Sequence, residues 1–166
     1  GALSQVNGEE TAEVLSAMGP DFVRLRTLEI FTGTRLEELA ASGAFIEATE
    51  EQVVREIRSI VLNTACETEI VSDSATNLLE INGRLPRDRK LMLERIDSYL
   101  ALPERDKLEF SLRSRLQSFI GQYGGLSPEI FNSLSRHIRS GMLSMADISA
   151  EELVSITGLI RSRLMP

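Results

Sequence analysis

Apolar positions recur along this chain at the spacing of one helix face, and the clearest case lies late in the sequence. Ile130, Phe131, Leu134 and Ile138 form one such stripe. A start signal precedes them. Ser127 can accept a bond from an orphan backbone N–H, Pro128 suits the first turn, and Glu129 favours its positive end. Ser149 and Glu152 then have the S-x-x-E spacing of a capping box and open a second helix carrying Leu153, Val154, Ile156 and Ile160. The pattern predicts two helices folded back on each other.

The same signals divide the rest of the chain. A polar leader covers residues 1–8, and a helix follows over about 9–18, stopped by Gly19-Pro20. Phe22, Val23, Leu25, Leu28, Ile30 and Phe31 predict a helix over about 21–31. Thr34 caps a short helix ending near Gly43, and Thr49 with Gln52 opens a long one over about 50–68. Ser72 or Ser74 starts a helix through Leu78, Leu79 and Ile81 that stops at Asn82-Gly83. Leu85-Pro86 restarts the chain for a helix to about Leu102, and Pro103 opens another to Ile120. The expectation is eight or nine helices and no sheet, in a single all-α domain over 9–166 built from about four helical hairpins.

Three of these helices share a template, apolar at i, i+1, i+4, i+7 and i+8. It is filled by Val53, Val54, Ile57, Ile60, Val61; by Met92, Leu93, Ile96, Tyr99, Leu100; and by Ile130, Phe131, Leu134, His137, Ile138. The offsets are 39 and 38 residues. Ser74-Ala75 with Leu78, Leu79, Ile81 and Gly83 lines up with Ser149-Ala150 and Leu153, Val154, Ile156, Gly158. Any two amphipathic helices can be slid into register, so a non-repeating helical bundle stands beside a repeat array. Paired helices at this period resemble an α-solenoid of the HEAT type or of the organellar RNA-binding type, whereas tetratricopeptide repeats are shorter, at ~34 residues. The resemblance rests on spacing over about residues 10–160 and implies an extended binding surface with the ligand left open.

Composition narrows the class. The chain has 166 residues, 42% of them hydrophobic and 26% charged, enough for a real core without staples. Its one cysteine, Cys66, excludes an intramolecular disulfide and suits an intracellular reducing compartment, whether cytoplasm or organelle matrix. No apolar run approaches the ~20 residues that span a bilayer, so no membrane partner is expected. The opening GALSQVNGEE lacks the basic and apolar regions of a secretory signal.

Charge is divided unevenly. Lys and Arg against Asp and Glu number 5 and 15 over residues 1–83, 11 and 7 over 84–140, and 2 and 3 over 141–166, for a net charge of -7. An acidic first half and a basic middle suit end-to-end association or a polyanion site on one part.

Chemistry has little to stand on. His137 is the only histidine and lies on an apolar stripe, where a structural role is the usual one. Glu67, Glu69 and Asp73 lack the calcium-loop pattern, and H-E-x-x-H is impossible with one His. Gly121-Gln122-Tyr123-Gly124 spells the G-x-x-G of a KH domain, but a glycine helix cap explains the same letters. No phosphate-binding glycine motif is present, so no cofactor, metal or small-molecule substrate is expected. The basic residues are the one candidate constellation: Arg84, Arg87, Arg89 and Lys90 at one junction, and Arg113, Arg115, Arg136 and Arg139 on two helices expected to be neighbours. A solvated, charge-balanced helix face is the plain alternative. The expectation is therefore a non-catalytic module that binds protein, as a scaffold or a subunit of a larger assembly. The alternative is an RNA-binding helical repeat using the basic residues of 84–140, with salt-sensitive affinity.

Overall fold

The computed structural model describes residues 4–164. It is mostly helical, at 56%, with seven α-helices and a 3-10 turn at Met145–Asp147, and short strands make up 9%. The chain forms two compact units, residues 1–101 and 102–166.

The first unit begins with α1, Ser4–Met18. The leader expected over 1–8 is thus helical from Ser4, and residues 1–3 lie outside the described residues. Gly8 and Ala12, one turn apart, are buried. They let α1 approach α3, Glu50–Asn63, so closely that a Cβ on Gly8 would stand 2.9 Å from the Glu56 carbonyl oxygen. Asn7 donates to Glu56 Oε1 at 2.8 Å beside that crossing, and Ser16 Oγ accepts from the Ala65 N–H at 2.8 Å further along.

After Gly19, at φ 58°, the chain enters β1, Phe22–Arg24. The helix expected over 21–31 does not form. Residues 22–28 instead alternate strictly, with Val23, Leu25 and Thr27 half-buried and Phe22, Arg24, Arg26 and Leu28 exposed. That is the period of a strand, and Val23 and Thr27 are β-branched. The short helix α2, Arg35–Ala41, follows behind the Thr34 cap. Then comes α3 behind the Thr49–Gln52 capping box.

Helix α3 stops at Asn63, short of the expected 68, and the chain re-enters the sheet as β2, Thr68–Val71. Strands β1 and β2 run parallel, with Val23 opposite Ile70, so the segment β1–α3–β2 is a βαβ crossover. Strand β3, Gly83–Leu85, pairs antiparallel with β2 and completes a sheet of order β1-β2-β3.

The expected helix over Ser74–Ile81 is absent too. Leu78, Leu79 and Ile81 are buried as expected, but on irregular backbone. Side-chain amides and hydroxyls replace the helical ladder there. Asn77 Oδ1 accepts from Thr27 N and Oγ1 at 2.8 and 3.0 Å, and its Nδ2 donates to Leu25 O and Ser72 Oγ, both at 2.9 Å. Ser72 Oγ donates to Leu79 O at 3.0 Å, and Asn82 Oδ1 accepts from Ser72 N at 2.7 Å. Asn and Ser offer the backbone local partners that compete with a helix. With no helix over 74–81, a stack of matching helical hairpins does not describe this unit.

Helix α4, Arg89–Leu100, packs on α3 and buries Met92, Ile96 and Tyr99. Arg58 and Asp97 join the two helices by a forked pair at 2.6 and 3.2 Å.

The second unit follows expectation more closely. Helix α5, Glu104–Tyr123, runs past the expected end at Ile120 and is stopped by Gly124 at φ 75°. Helix α6, Pro128–Ser135, has the Ser127 cap, and α7, Ala150–Arg161, has both halves of the Ser149–Glu152 capping box. Helix α7 packs on α5 and α6, burying Leu153, Ile156 and Ile160 against a core that includes Leu112, Leu116, Ile130 and Leu134. Between α6 and α7 lies an unexpected hairpin, β4 Ile138–Arg139 and β5 Met142–Leu143. Its turn residues Ser140 and Gly141 have φ 51° and 79°, the positive pair of a tight two-residue hairpin. Of the tail expected over 161–166, residues 165–166 lie outside the described residues.

Candidate interaction surface

The eight basic residues singled out in the sequence occupy different surroundings. Arg84 reaches Glu67 at 2.9 Å. Its backbone N–H donates to Asp88 Oδ2, also at 2.8 Å from Arg87 Nη2. Arg87 and the Arg84 amide together hold the Asp88 carboxyl down to about 2. Arg89 faces inward: its Nε donates to Val61 O at 3.1 Å and its Nη2 to Thr64 O, so the guanidinium caps the C-terminal end of α3. Carbonyls left over at a helix end favour such a cation. Lys90 lies 3.8 Å from Glu94, one turn along α4.

In the second unit, Arg113 lies 3.6 Å from Glu109 on its own helix, whereas Arg115 is wholly buried. Arg136 pairs with Glu152 at 2.7 Å, and Arg139 lies 3.6 Å from Asp147. Arg115 therefore lines no open surface, and Arg113, Arg136 and Arg139 each face a carboxylate. Arg89 and Arg115 are structural cations, and the others are exposed cations each set beside a carboxylate.

The side chains with chemical potential are engaged as well. The Cys66 thiol donates to Leu15 O at 3.4 Å. His137 is buried and its Nε2 accepts from Arg136 Nε at 3.1 Å. Among the described residues no group of three His, Cys, Asp or Glu side chains is placed to hold a metal ion. Among them, too, no helix is long and apolar enough to cross a membrane.

A different feature stands out, and it was not anticipated. Strand β1 is an edge of the three-stranded sheet. Asp21 O accepts from Glu69 N at 3.0 Å and Leu25 N donates to Val71 O at 2.8 Å, so the odd-numbered residues face β2. By alternation, the backbone groups of Phe22 and Arg24 face the open edge. Phe22 is 63% exposed, as Met18 and Leu91 of the same unit are at 71% and 68%, but it alone of these lies on an edge strand. Arg24 is fixed by a forked pair with Asp73, at 2.9 and 2.6 Å, which holds the Asp73 carboxyl below its usual range. Leu28 and Ile46 of the same unit are exposed too. The sequence carried only a weak signal for this edge, because Phe22-Val23-Arg24-Leu25-Arg26-Thr27-Leu28 alternates in burial but not in hydropathy.

No protein-family model, no curated protein and no solved structure matches this chain.

Proposed function

We propose that the chain is a non-catalytic interaction module, a scaffold or a subunit of a larger assembly, that docks on another polypeptide through the open edge of β1. The observation that carries this reading is the exposed Phe22 on an edge strand whose outer N–H and C=O groups face away from β2. An added strand would pair with those groups and cover the ring, the β-augmentation mode in which main-chain bonds give affinity and alternate side chains give specificity. A protein partner is favoured over RNA because seven of the eight candidate cations are bonded to or face a carboxylate or backbone carbonyl and the eighth, Arg115, is buried. The non-catalytic part of the reading is supported by the engagement of Cys66 and His137 in internal hydrogen bonds. The module is mostly helical and owes its docking edge to a βαβ unit, so a stacked repeat is not required.

The test is amide hydrogen exchange on the chain alone and in whatever assembly it is isolated with, beside a Phe22→Lys variant. The Phe22 and Arg24 amides should exchange freely alone and slow in the assembly, and Phe22→Lys should lower recovery of the assembly at least tenfold. Recovery of the assembly by Phe22→Lys at the wild-type level would overturn the proposal.

A further inference from the structure

The one histidine of the chain is buried in the second unit against two opposite charges. His137, 6% exposed, leaves α6 for the β4–β5 hairpin. Its backbone is pinned on both sides: the N–H donates to Leu134 O and the carbonyl accepts from Ser144 N, both at 2.9 Å. Arg136 Nε donates to His137 Nε2 at 3.1 Å, while Arg136 Nη2 lies 2.7 Å from Glu152 Oε1. The same carboxylate oxygen is 3.8 Å from His137 Nε2. The other oxygen, Oε2, accepts from Ser149 N at 3.0 Å in the capping box of α7. That backbone bond, with the Ser149 hydroxyl and the neighbouring Arg136 and His137, keeps the Glu152 carboxyl below its usual range.

Two other cations of this unit are turned to carboxylates of their own. Arg139 of β4 is turned to Asp147 at 3.6 Å, and Arg113 of α5 to Glu109 at 3.6 Å. Arg115 of α5 is buried, and Glu151, beside Glu152 on α7, is exposed.

An imidazole nitrogen accepts a hydrogen bond only while it carries no proton. A proton arriving from solvent at Nε2 makes that atom a donor. The guanidinium and the ring would then present two donors and two positive charges to each other across about 3 Å, where like charges repel strongly. Glu152 Oε1 is the acceptor within reach. We propose that protonation of His137 breaks its bond with Arg136 and passes Glu152 Oε1 to the imidazolium, releasing the Arg136 guanidinium to solvent. Arg136 can leave because its side chain is already 63% exposed, whereas the ring is 8% exposed and its backbone is pinned. The capping box survives, because it uses Oε2. Acid thereby adds a free cation to the surface at the end of α6 without unfolding α7. This inference stands independently of the β1 edge.

The experiment is a pH titration of the full chain by nuclear magnetic resonance. With a single histidine, the ring carbon and nitrogen signals report its protonation without ambiguity. The Arg136 Nε–H signal should shift and begin to exchange with solvent in step with the ring signals, at the same midpoint, while the Ser149 amide stays protected. In His137→Gln, whose side-chain oxygen can accept from Arg136 but takes up no proton, the Arg136 signal should stay in place over the same range. An Arg136 Nε–H signal that ignores the ring titration overturns the proposal. So does one that moves equally in His137→Gln, because the response would then belong to carboxylates. If His137→Gln does not fold, the agreement or disagreement of the two wild-type midpoints decides the matter alone.

Discussion

Replacing Asn77 by Ala should remove more stability than any other polar substitution in the first unit. Its side-chain amide is 6% exposed as a residue and makes four hydrogen bonds, two accepted from Thr27 and two donated to Leu25 O and Ser72 Oγ. Alanine leaves the Thr27 N–H and the Leu25 carbonyl without these partners. A buried polar group stripped of its partner costs roughly 1–3 kcal/mol. Thr27 and Leu25 are only half-buried, so water relieves part of this, and the low end applies to each. Ser72 Oγ keeps its bond to Leu79 O and adds little. The small cavity left by the amide brings the expected loss to about 2–4 kcal/mol. Against a total of about 5–15 kcal/mol for a folded domain this is a large fraction.

Urea unfolding is the assay, followed by amide exchange at Ile70 and Ser72 so that the first unit is read by itself. With a urea slope of about 2 kcal/mol per molar, the midpoint should fall by ~1–2 M with the slope unchanged. Asn77→Asp retains the acceptor but sets a carboxylate oxygen against the Leu25 carbonyl, so it should do at least as much damage. A stability loss under about 0.5 kcal/mol for alanine, or an Asp variant as stable as the wild type, would falsify the view that this amide replaces a helical ladder.

Gly8→Val should destabilise by about 1–3 kcal/mol, because the new side chain meets the Glu56 carbonyl and Ser59 Cβ where α1 crosses α3. Gly121→Ala, inside α5 with nothing within 4 Å of the added methyl, should instead stabilise by about 0.5–1 kcal/mol; thermal melts of both variants read the opposite signs. Asp88 has a folded pKa of about 2 against an ordinary 3.8, so its stabilising contribution is fully present above the unfolded value and is lost as pH falls through the folded one. Melting temperature should therefore drop between about pH 4 and pH 2, and less steeply in Asp88→Asn. Leu134→Ala removes a side chain that is 2% exposed and should cost ~2–4 kcal/mol by denaturant midpoint.

Capping chemistry was the part of this fold most legible in the sequence. Thr34, Thr49, Ser127 and Ser149 each accept from the backbone N–H three residues on, as their spacing required. These are local signals, settled within one turn, and tertiary packing has little power to override them. The apolar stripes on α3 and α4 were legible in part: Val54, Ile60, Val61, Met92, Ile96 and Tyr99 are buried where the template put them, whereas Val53, Ile57, Leu93 and Leu100 are half-buried and Phe131 of α6 is exposed. What failed was the stretch between starts. Phe22–Phe31 offers apolar residues to both periods, and only the exposure of Phe22, Arg24, Arg26 and Leu28 reveals the period of two. Residues 72–82 have a serine start and buried leucines, but Asn77 and Asn82 spend their amides on loop backbone and the helix never begins. The parallel pairing of β1 with β2 joins residues about fifty positions apart, and short strands of three and four residues leave almost no periodic trace.

The candidate cations show why a count of charge along the chain misplaces a site. A net positive stretch suggests a field, yet charge acts through the geometry of each side chain. Arg113 and Arg115 are two residues apart on α5, and residues at that spacing do not share a helix face. One of them accordingly points to solvent beside Glu109 and the other is fully buried, so the pair could never have lined one groove. Glu109–Arg113 and Lys90–Glu94 stand at i,i+4, a spacing that pairs opposite charges on a helix surface and was readable in advance. Arg136 and Arg139 fall outside that logic because α6 ends at Ser135 and the chain turns into a hairpin, which aims them at Glu152 and Asp147. A nearby carboxylate offsets each of these exposed cations locally, which the residue count does not register. The exposed Phe22 on β1 carries no charge, so no charge count would have directed attention to it.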